Sequence, residues 1–370
     1  MRFAPIPEAL PATVPFTGPE TLERRRGAAF AARLGANENG FGPSPRAIAA
    51  MRDATAEVWK YADPTSLELR EALARHHATT PDNIVVGEGI DGLLGLTVRL
   101  MIAPGDRVVT SDGGYPTLNY HVAGFGGRLE KVDYRDDGED LPALIARANE
   151  TGARLVYLAN PDNPMGSWIC GADVVAALDQ LRPDCLLILD EAYAEFAPPE
   201  AIPCIAADDP RVIRMRTFSK AYGMAGARIG YAIGARPLIA GFERIRNHFG
   251  VNRIAQEGAL AALSDDAWLE RTRDKVGSAR ARLAQIAKAQ GLTALPSATN
   301  FVCIDCGRDG DFARAVLAAL EARDIFVRMP SVAPMDRCIR VSCGPDAELD
   351  LFAHALPEAL RAADRGEGAT

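Results

Sequence analysis

Leu186-Leu187-Ile188-Leu189-Asp190-Glu191-Ala192-Tyr193 decides the fold. Four apolar residues in an unbroken run leave no polar face, which is how a strand covered on both sides of a parallel sheet reads. The run ends on Asp190, and an acid at the carboxyl end of a buried strand is either a cap for the next segment or a charge with a task. Further short strands are read outward from it, at 83–86, 107–110, 128–132, 155–158 and 212–215, with charged residues interrupting the apolar ones at 128–132 and 214. Helical patterns lie between several of them, at 141–150 and 171–181, and 66–78 is amphipathic with Ser66 as its expected N-cap. Strands spaced by helices imply βαβ units.

The expected fold class is therefore α/β: a three-layer αβα large domain with a mostly parallel sheet, whose ligand lies beyond the carboxyl ends of the strands. A long helix at 265–290, a strand at 300–305, a helix at 311–322, short strands near Phe326 and Ile339 and a helix at 346–362 predict a smaller α+β C-terminal domain. The division expected is an N-terminal arm, extended over 1–35, with the motif that follows it to residue 44, together joining the small domain; the large domain over 45–250; and the small domain over 251–370 with a frayed polar tail.

Composition narrows the function. The 370 residues are 48% hydrophobic and carry a net charge of −8, so no general basic field exists for nucleic acid or an anionic membrane. No apolar stretch approaches the ~20 residues of a membrane span, and the proline-rich start lacks the basic and apolar regions of a secretory signal. Seven cysteines include one C-x-x-C, Cys303 and Cys306, with neither a second pair nor a nearby His. That pattern predicts buried thiols in a reducing compartment and no metal site. A cytoplasmic protein is expected. Only five residues are Lys: Lys60, Lys131, Lys220, Lys275 and Lys288. Chemistry that needs an amine has few candidates.

Four segments carry such chemistry, each with an ordinary reading beside it. Thr217-Phe218-Ser219-Lys220-Ala221-Tyr222-Gly223, then Gly226 and Arg228, puts one Lys beside a Ser in a turn after an apolar strand; any single Lys is more often a solvated charge. Asp190 ends the strand at 186–189, and Tyr193, three residues later, can present its hydroxyl beside it. Asn160-Pro161-Asp162-Asn163-Pro164-Met165-Gly166 is by itself turn chemistry. Gly87-Glu88-Gly89-Ile90-Asp91-Gly92 is a tight strand-to-helix turn whose free N–H groups suit a phosphate, although it is not the G-x-G-x-x-G of a dinucleotide site. Together, a phosphate cradle, a Lys, an Asp and an amide–hydroxyl pair are what pyridoxal 5′-phosphate requires.

With those residues in view, the chain resembles the fold-type I pyridoxal-phosphate-dependent aminotransferases, and among them most the histidinol-phosphate aminotransferases. Leu34-Gly35-Ala36-Asn37-Glu38-Asn39-Gly40-Phe41-Gly42-Pro43-Ser44-Pro45 is similar to that family's N-terminal motif and Lys60-Tyr61-Ala62-Asp63-Pro64 to its tyrosine segment. Asn163, Asp190, Tyr193, Ser219, Lys220, Arg228, Arg328 and Arg340 follow in the family's order.

The resemblance implies Lys220 as the residue in Schiff-base linkage and as the proton shuttle, with Asp190 on the pyridine nitrogen. It implies Asn163 and Tyr193 on the phenolic oxygen, and Ser219, Arg228 and the turn Gly89-Ile90-Asp91 on the phosphate. Tyr61 would reach the phosphate of a neighbouring subunit, so a homodimer with shared sites is implied. Arg340 and Arg328 would hold the anionic groups of the substrate, with Asn39 and Tyr120 beside them; a guanidinium suits carboxylate and phosphate equally.

Leu118 stands where the family carries an aromatic residue over the cofactor ring, so apolar packing, Tyr115 or Tyr120 takes that place. Pro164-Met165-Gly166 replaces Pro-Thr-Gly, and Gly40 replaces a common Pro. The expected reaction is ping-pong transamination between a donor of the histidinol-phosphate type and a 2-oxo acid such as 2-oxoglutarate. An aromatic or other amino-acid aminotransferase, or a decarboxylase of a phosphorylated amino acid, fits the same residues. A nicotinamide-dependent dehydrogenase would need the missing glycine fingerprint. A regulator on this fold would need a basic DNA-binding segment, which the charge balance does not supply.

Overall fold

The computed structural model describes residues 2–11 and 17–366. The outermost part of the expected tail, 367–370, and the arm at 12–16 lie outside the described residues. The strands are Ala32–Arg33 (β1), Ile84–Gly87 (β2), Arg107–Ser111 (β3), Arg128–Val132 (β4), Leu155–Ala159 (β5), Leu186–Asp190 (β6), Val212–Thr217 (β7), Gly230–Gly234 (β8), Thr293–Ala294 (β9), Phe301–Asp305 (β10), Ile325–Phe326 (β11) and Cys338–Ser342 (β12). Seven of them form one sheet in the order β2-β8-β7-β6-β5-β3-β4. β4, β3, β5, β6 and β7 run parallel, and β8 is antiparallel to both of its neighbours.

β6 is covered on both faces, as its run of apolar residues requires. Leu186 and Ile188 pack with Leu118, Tyr157 and Met215 on one side, while Leu187 and Leu189 pack with Val156, Leu158 and Val212 on the other. β8, Gly-Tyr-Ala-Ile-Gly, has no counterpart among the sequence expectations. Glycines at both ends of a three-residue apolar run read as turns, yet Gly230 is where two backbones meet: a Cβ there would lie 2.8 Å from the Arg216 carbonyl.

The C-terminal core gathers Val276 and Leu283 of the helix Asp266–Ala289, Phe301 of β10, Val316 of Gly310–Glu321, Ile339 of β12 and Phe352 of Asp346–Asp364. β1 pairs with β11, which ties the N-terminal segment to this core. The helix Arg253–Leu263 packs instead with the sheet: its Ala255, Ala259 and Ala262 meet Ala47, Leu73, Ile84 and Tyr231.

Two local expectations are corrected. The arm is not extended throughout, because Pro5–Glu8 and Pro19–Arg26 are helical; proline at a first helical position has no N–H to lose and its fixed φ starts the turn. Ser66 does not cap the helix Leu67–His76 with its side chain. It is left-handed at φ 47°, and Asp63 Oδ2 accepts the Leu67 N–H at 2.7 Å. No helix among the described residues is long and apolar enough to cross a membrane.

Candidate active site

β2, β5, β6 and β7 end on the same edge of the sheet, and the segments leaving them enclose a cavity of about 680 Å³. Asp190 is the last residue of β6; Asn163 lies in the turn after β5; Ser219 and Lys220 follow β7; Ile90 and Asp91 open the helix Gly89–Met101 after β2. Arg340 of β12 and Arg328 close the cavity from the C-terminal unit, their backbones bonded to each other at 2.6 and 3.2 Å. Tyr193, Arg228 and Tyr120 complete the wall. The structure thus brings most of the expected residues together.

Their electrostatics are those of a shielded site. Lys220 Nζ donates to the Asn37 carbonyl at 3.1 Å and lies 5.7 Å from the Tyr193 ring centre. Burial, reinforced by the Arg340 charge, takes its amine down to about 8. Burial pushes the Asp190 carboxyl up to about 6, against the hydrogen bond it accepts from Tyr157. The Tyr193 hydroxyl, raised to about 12 by burial, accepts from Asn37 Nδ2 at 3.1 Å. Arg340 Nη1 donates to Asn163 Oδ1 and Nη2 to the Gly35 carbonyl at 3.4 Å, whereas Arg328 donates to the Thr17 carbonyl. Among the described residues neither arginine enters an ion pair.

The turn after β2 has the form of an anion cradle. The first-turn N–H groups of a helix have no partner inside it and point outward with the positive end of the dipole. Gly89 is left-handed at φ +78°, and a Cβ there would lie 2.7 Å from Arg228 Nη2. Glycine is therefore what lets this guanidinium lie against the helix start. Arg228 also meets Asp91 Oδ2 at 3.4 Å, and Asp91 Oδ1 accepts the Tyr115 hydroxyl at 2.8 Å. Ser219 stands beside Thr217, whose hydroxyl reaches it at 2.9 Å. An anion cradle, a buried amine of lowered proton affinity and a carboxylate at the sheet edge fit the phosphate, aldehyde and ring nitrogen of pyridoxal phosphate.

Three expected residues lie elsewhere. Leu118 is fully buried in the core on the Leu186 and Ile188 face of the sheet, because the helix Thr117–Gly124 turns it inward; Tyr115 and Tyr120 line the cavity. Asn39 does not line the cavity but braces the Lys220 segment, donating to the Ala221 carbonyl at 3.1 Å. Tyr61 is 79% exposed, stacks on Phe249 at 4.7 Å and borders a separate groove with Arg253 and Gln256.

Sequence reasoning missed Asn37, two positions from Asn39 in the same motif. Asn37 is left-handed at φ 54°, which asparagine tolerates and which turns its side chain to Tyr193. It also missed Tyr157 and the pair Tyr134–Asp162, in which the phenol donates to Asp162 Oδ1 at 2.7 Å. Burial raises Asp162 to about 7, and its Oδ2 accepts the Met165 N–H at 3.0 Å, which shapes the turn that presents Asn163. For Tyr157 the available signal was the tyrosine itself: a phenol inside an apolar strand needs a partner.

Residues 32–356 match the family described as aminotransferase class I and II. Over 356 residues the chain is 36% identical to a histidinol-phosphate aminotransferase of Symbiobacterium thermophilum, covering 96% of each. It is 33% identical over 345 residues to one of Moorella thermoacetica, covering 92% of this chain and 88% of that protein. Among solved structures it is similar to histidinol-phosphate aminotransferase from Sinorhizobium meliloti in complex with pyridoxal 5′-phosphate, with a TM-score of 0.95, 55% identity and 98% of each chain covered. A double mutant of Thermus thermophilus aspartate aminotransferase is also similar, at a TM-score of 0.78 and 25% identity over 96% of this chain and all of that one.

Proposed function

The chain belongs to the class I and II aminotransferase family, and on that basis we propose that it exchanges an amino group between a phosphorylated donor of the histidinol-phosphate type and a 2-oxo acid such as 2-oxoglutarate. It is an enzyme whose cofactor is pyridoxal 5′-phosphate. Two cations side by side on one wall, Arg328 and Arg340, neither in an ion pair among the described residues, carry the substrate half of this reading. Such a pair suits an anion of two charges or two separate anionic groups.

When bound, the cofactor supplies an aldehyde for the amino group and a ring that draws electrons from the substrate Cα. Lys220 Nζ is the amine for that aldehyde and the base for the Cα proton; its low proton affinity supports the second role. Asp190 holds a proton on the ring nitrogen. Asn163, whose Oδ1 is engaged by Arg340, has its Nδ2 to donate to the phenolic oxygen, with Tyr193 beside it. Arg228, Ser219 and the Ile90 and Asp91 N–H groups hold the phosphate. Tyr120 and Tyr115 line the same cavity and would exclude water from it, and Arg340 and Arg328 would orient the donor.

A homodimer belongs to the same reading. Val58, Trp59, Tyr61 and Phe249 are all more than half exposed, an apolar patch that supports burial against a second copy and delivery of Tyr61 to its phosphate cradle. The cysteines are all free thiols, which supports a cytoplasmic setting.

Transamination of other amino acids is the rival that the likeness to an aspartate aminotransferase keeps in view. A panel of amino donors separates the two. Mixed with the yellow holoenzyme, histidinol phosphate is expected to convert the bound cofactor to its amine form at least tenfold faster than phenylalanine, glutamate or aspartate. Equal or faster conversion by one of those would remove the phosphorylated donor and leave the transaminase.

A further inference from the structure

Tyr157 stands in the middle of β5, fully buried, yet it borders the cavity floor. β5 and β6 pair with Ala159 opposite Asp190, so Tyr157 lies two residues back on the neighbouring strand and on the same face. That offset is a length a phenol spans: its hydroxyl donates to Asp190 Oδ2 at 2.7 Å. Asp190 Oδ1 accepts from the Ala192 N–H at 2.9 Å. A phenylalanine would fill the same space in this apolar strand, so packing does not explain the hydroxyl.

Resting on the reading above, we infer that Tyr157 is a positioning residue that keeps the Asp190 carboxylate ionised and oriented for the cofactor's ring nitrogen, extending cofactor retention to lower pH. The surroundings make such help necessary. Asp91 on the helix Gly89–Met101 and Glu191 next along the chain both oppose the Asp190 charge, and the further titratable groups coupled to it are Glu139 and the phenols Tyr157 and Tyr193. Burial already holds Asp190 at about 6. A hydrogen bond to the ionised form lowers a carboxyl pKa, so losing the hydroxyl raises it and moves the acid limit of binding upward.

The test is the dissociation constant of pyridoxal phosphate, followed by absorbance from pH 5 to 9 in the wild type and Tyr157→Phe. The midpoint below which affinity falls is expected to rise by about one pH unit in the variant. Affinity would then be about five- to tenfold weaker at pH 5.5 and unchanged at pH 8.5. The cofactor phosphate titrates in the same range, but equally in both proteins. In an Asp190→Asn background the Tyr157→Phe change is expected to have no further effect.

Coincident midpoints would overturn the inference, and so would a uniform loss of affinity at every pH, which is what a purely structural role gives. Failure of the wild type to bind pyridoxal phosphate would instead overturn the function proposed above, and this inference with it.

Discussion

Lys220 shows what the site costs a single residue. Its amine ordinarily titrates near 10.5; burial, then the Arg340 charge, brings it down to about 8. Between pH 8 and 10.5 the folded chain thus binds fewer protons than the unfolded one, so this residue's contribution to stability rises with pH across that window, and its full penalty is present below 8. Lys220→Met removes the buried amine without emptying its space. Without cofactor, the variant is expected to melt about 2–5 °C above the wild type at pH 7, with the gap closing towards pH 10. Calorimetry at the two pH values checks this, and an equal gap at both would mean that the amine is not held against its charge.

Among the elements, the strand-to-helix turns decide most. Gly89→Ala puts a methyl group on a left-handed residue, 2.7 Å from the Arg228 guanidinium. The flexible side chain yields, so the fold persists, but Arg228 leaves the helix start. Cofactor affinity is expected to fall at least tenfold, with an unchanged circular dichroism spectrum; undiminished affinity would remove Arg228 from the phosphate site.

β6 was legible because four apolar residues before an acid admit few other readings, and Lys220 because it is one of only five lysines and follows a strand, Val212–Thr217, in spite of that strand's two arginines. β8 was not, since its glycines serve a close backbone approach that only the tertiary fold creates. Leu118 and Asn39 stand apart from the cavity for one reason: position in a motif does not say which way a side chain faces, and the helix Thr117–Gly124 and the left-handed Asn37 set that. Tyr157 belonged to a strand read correctly, but its role depends on the register with β6.

In the assembled chain, the cavity lies between the sheet and the C-terminal core, with Lys220 and Asp190 from one and Arg328 and Arg340 from the other. Tyr61 and its apolar neighbours lie outside it, which the proposed dimer accounts for. Trp59, 77% exposed, tests that directly. Trp59→Asp is expected to shift the sedimenting species from dimer to monomer and to weaken cofactor binding; a wild type that sediments as a monomer would separate Tyr61 from the site.

Everything proposed for the site depends on Lys220, among five lysines, carrying the cofactor. Borohydride reduction of the holoenzyme, followed by peptide mass spectrometry, decides it. A pyridoxyl group is expected on the peptide bearing Lys220 and on no other; label on Lys60, Lys131, Lys275 or Lys288 instead, or on none of the five, would refute the assignment.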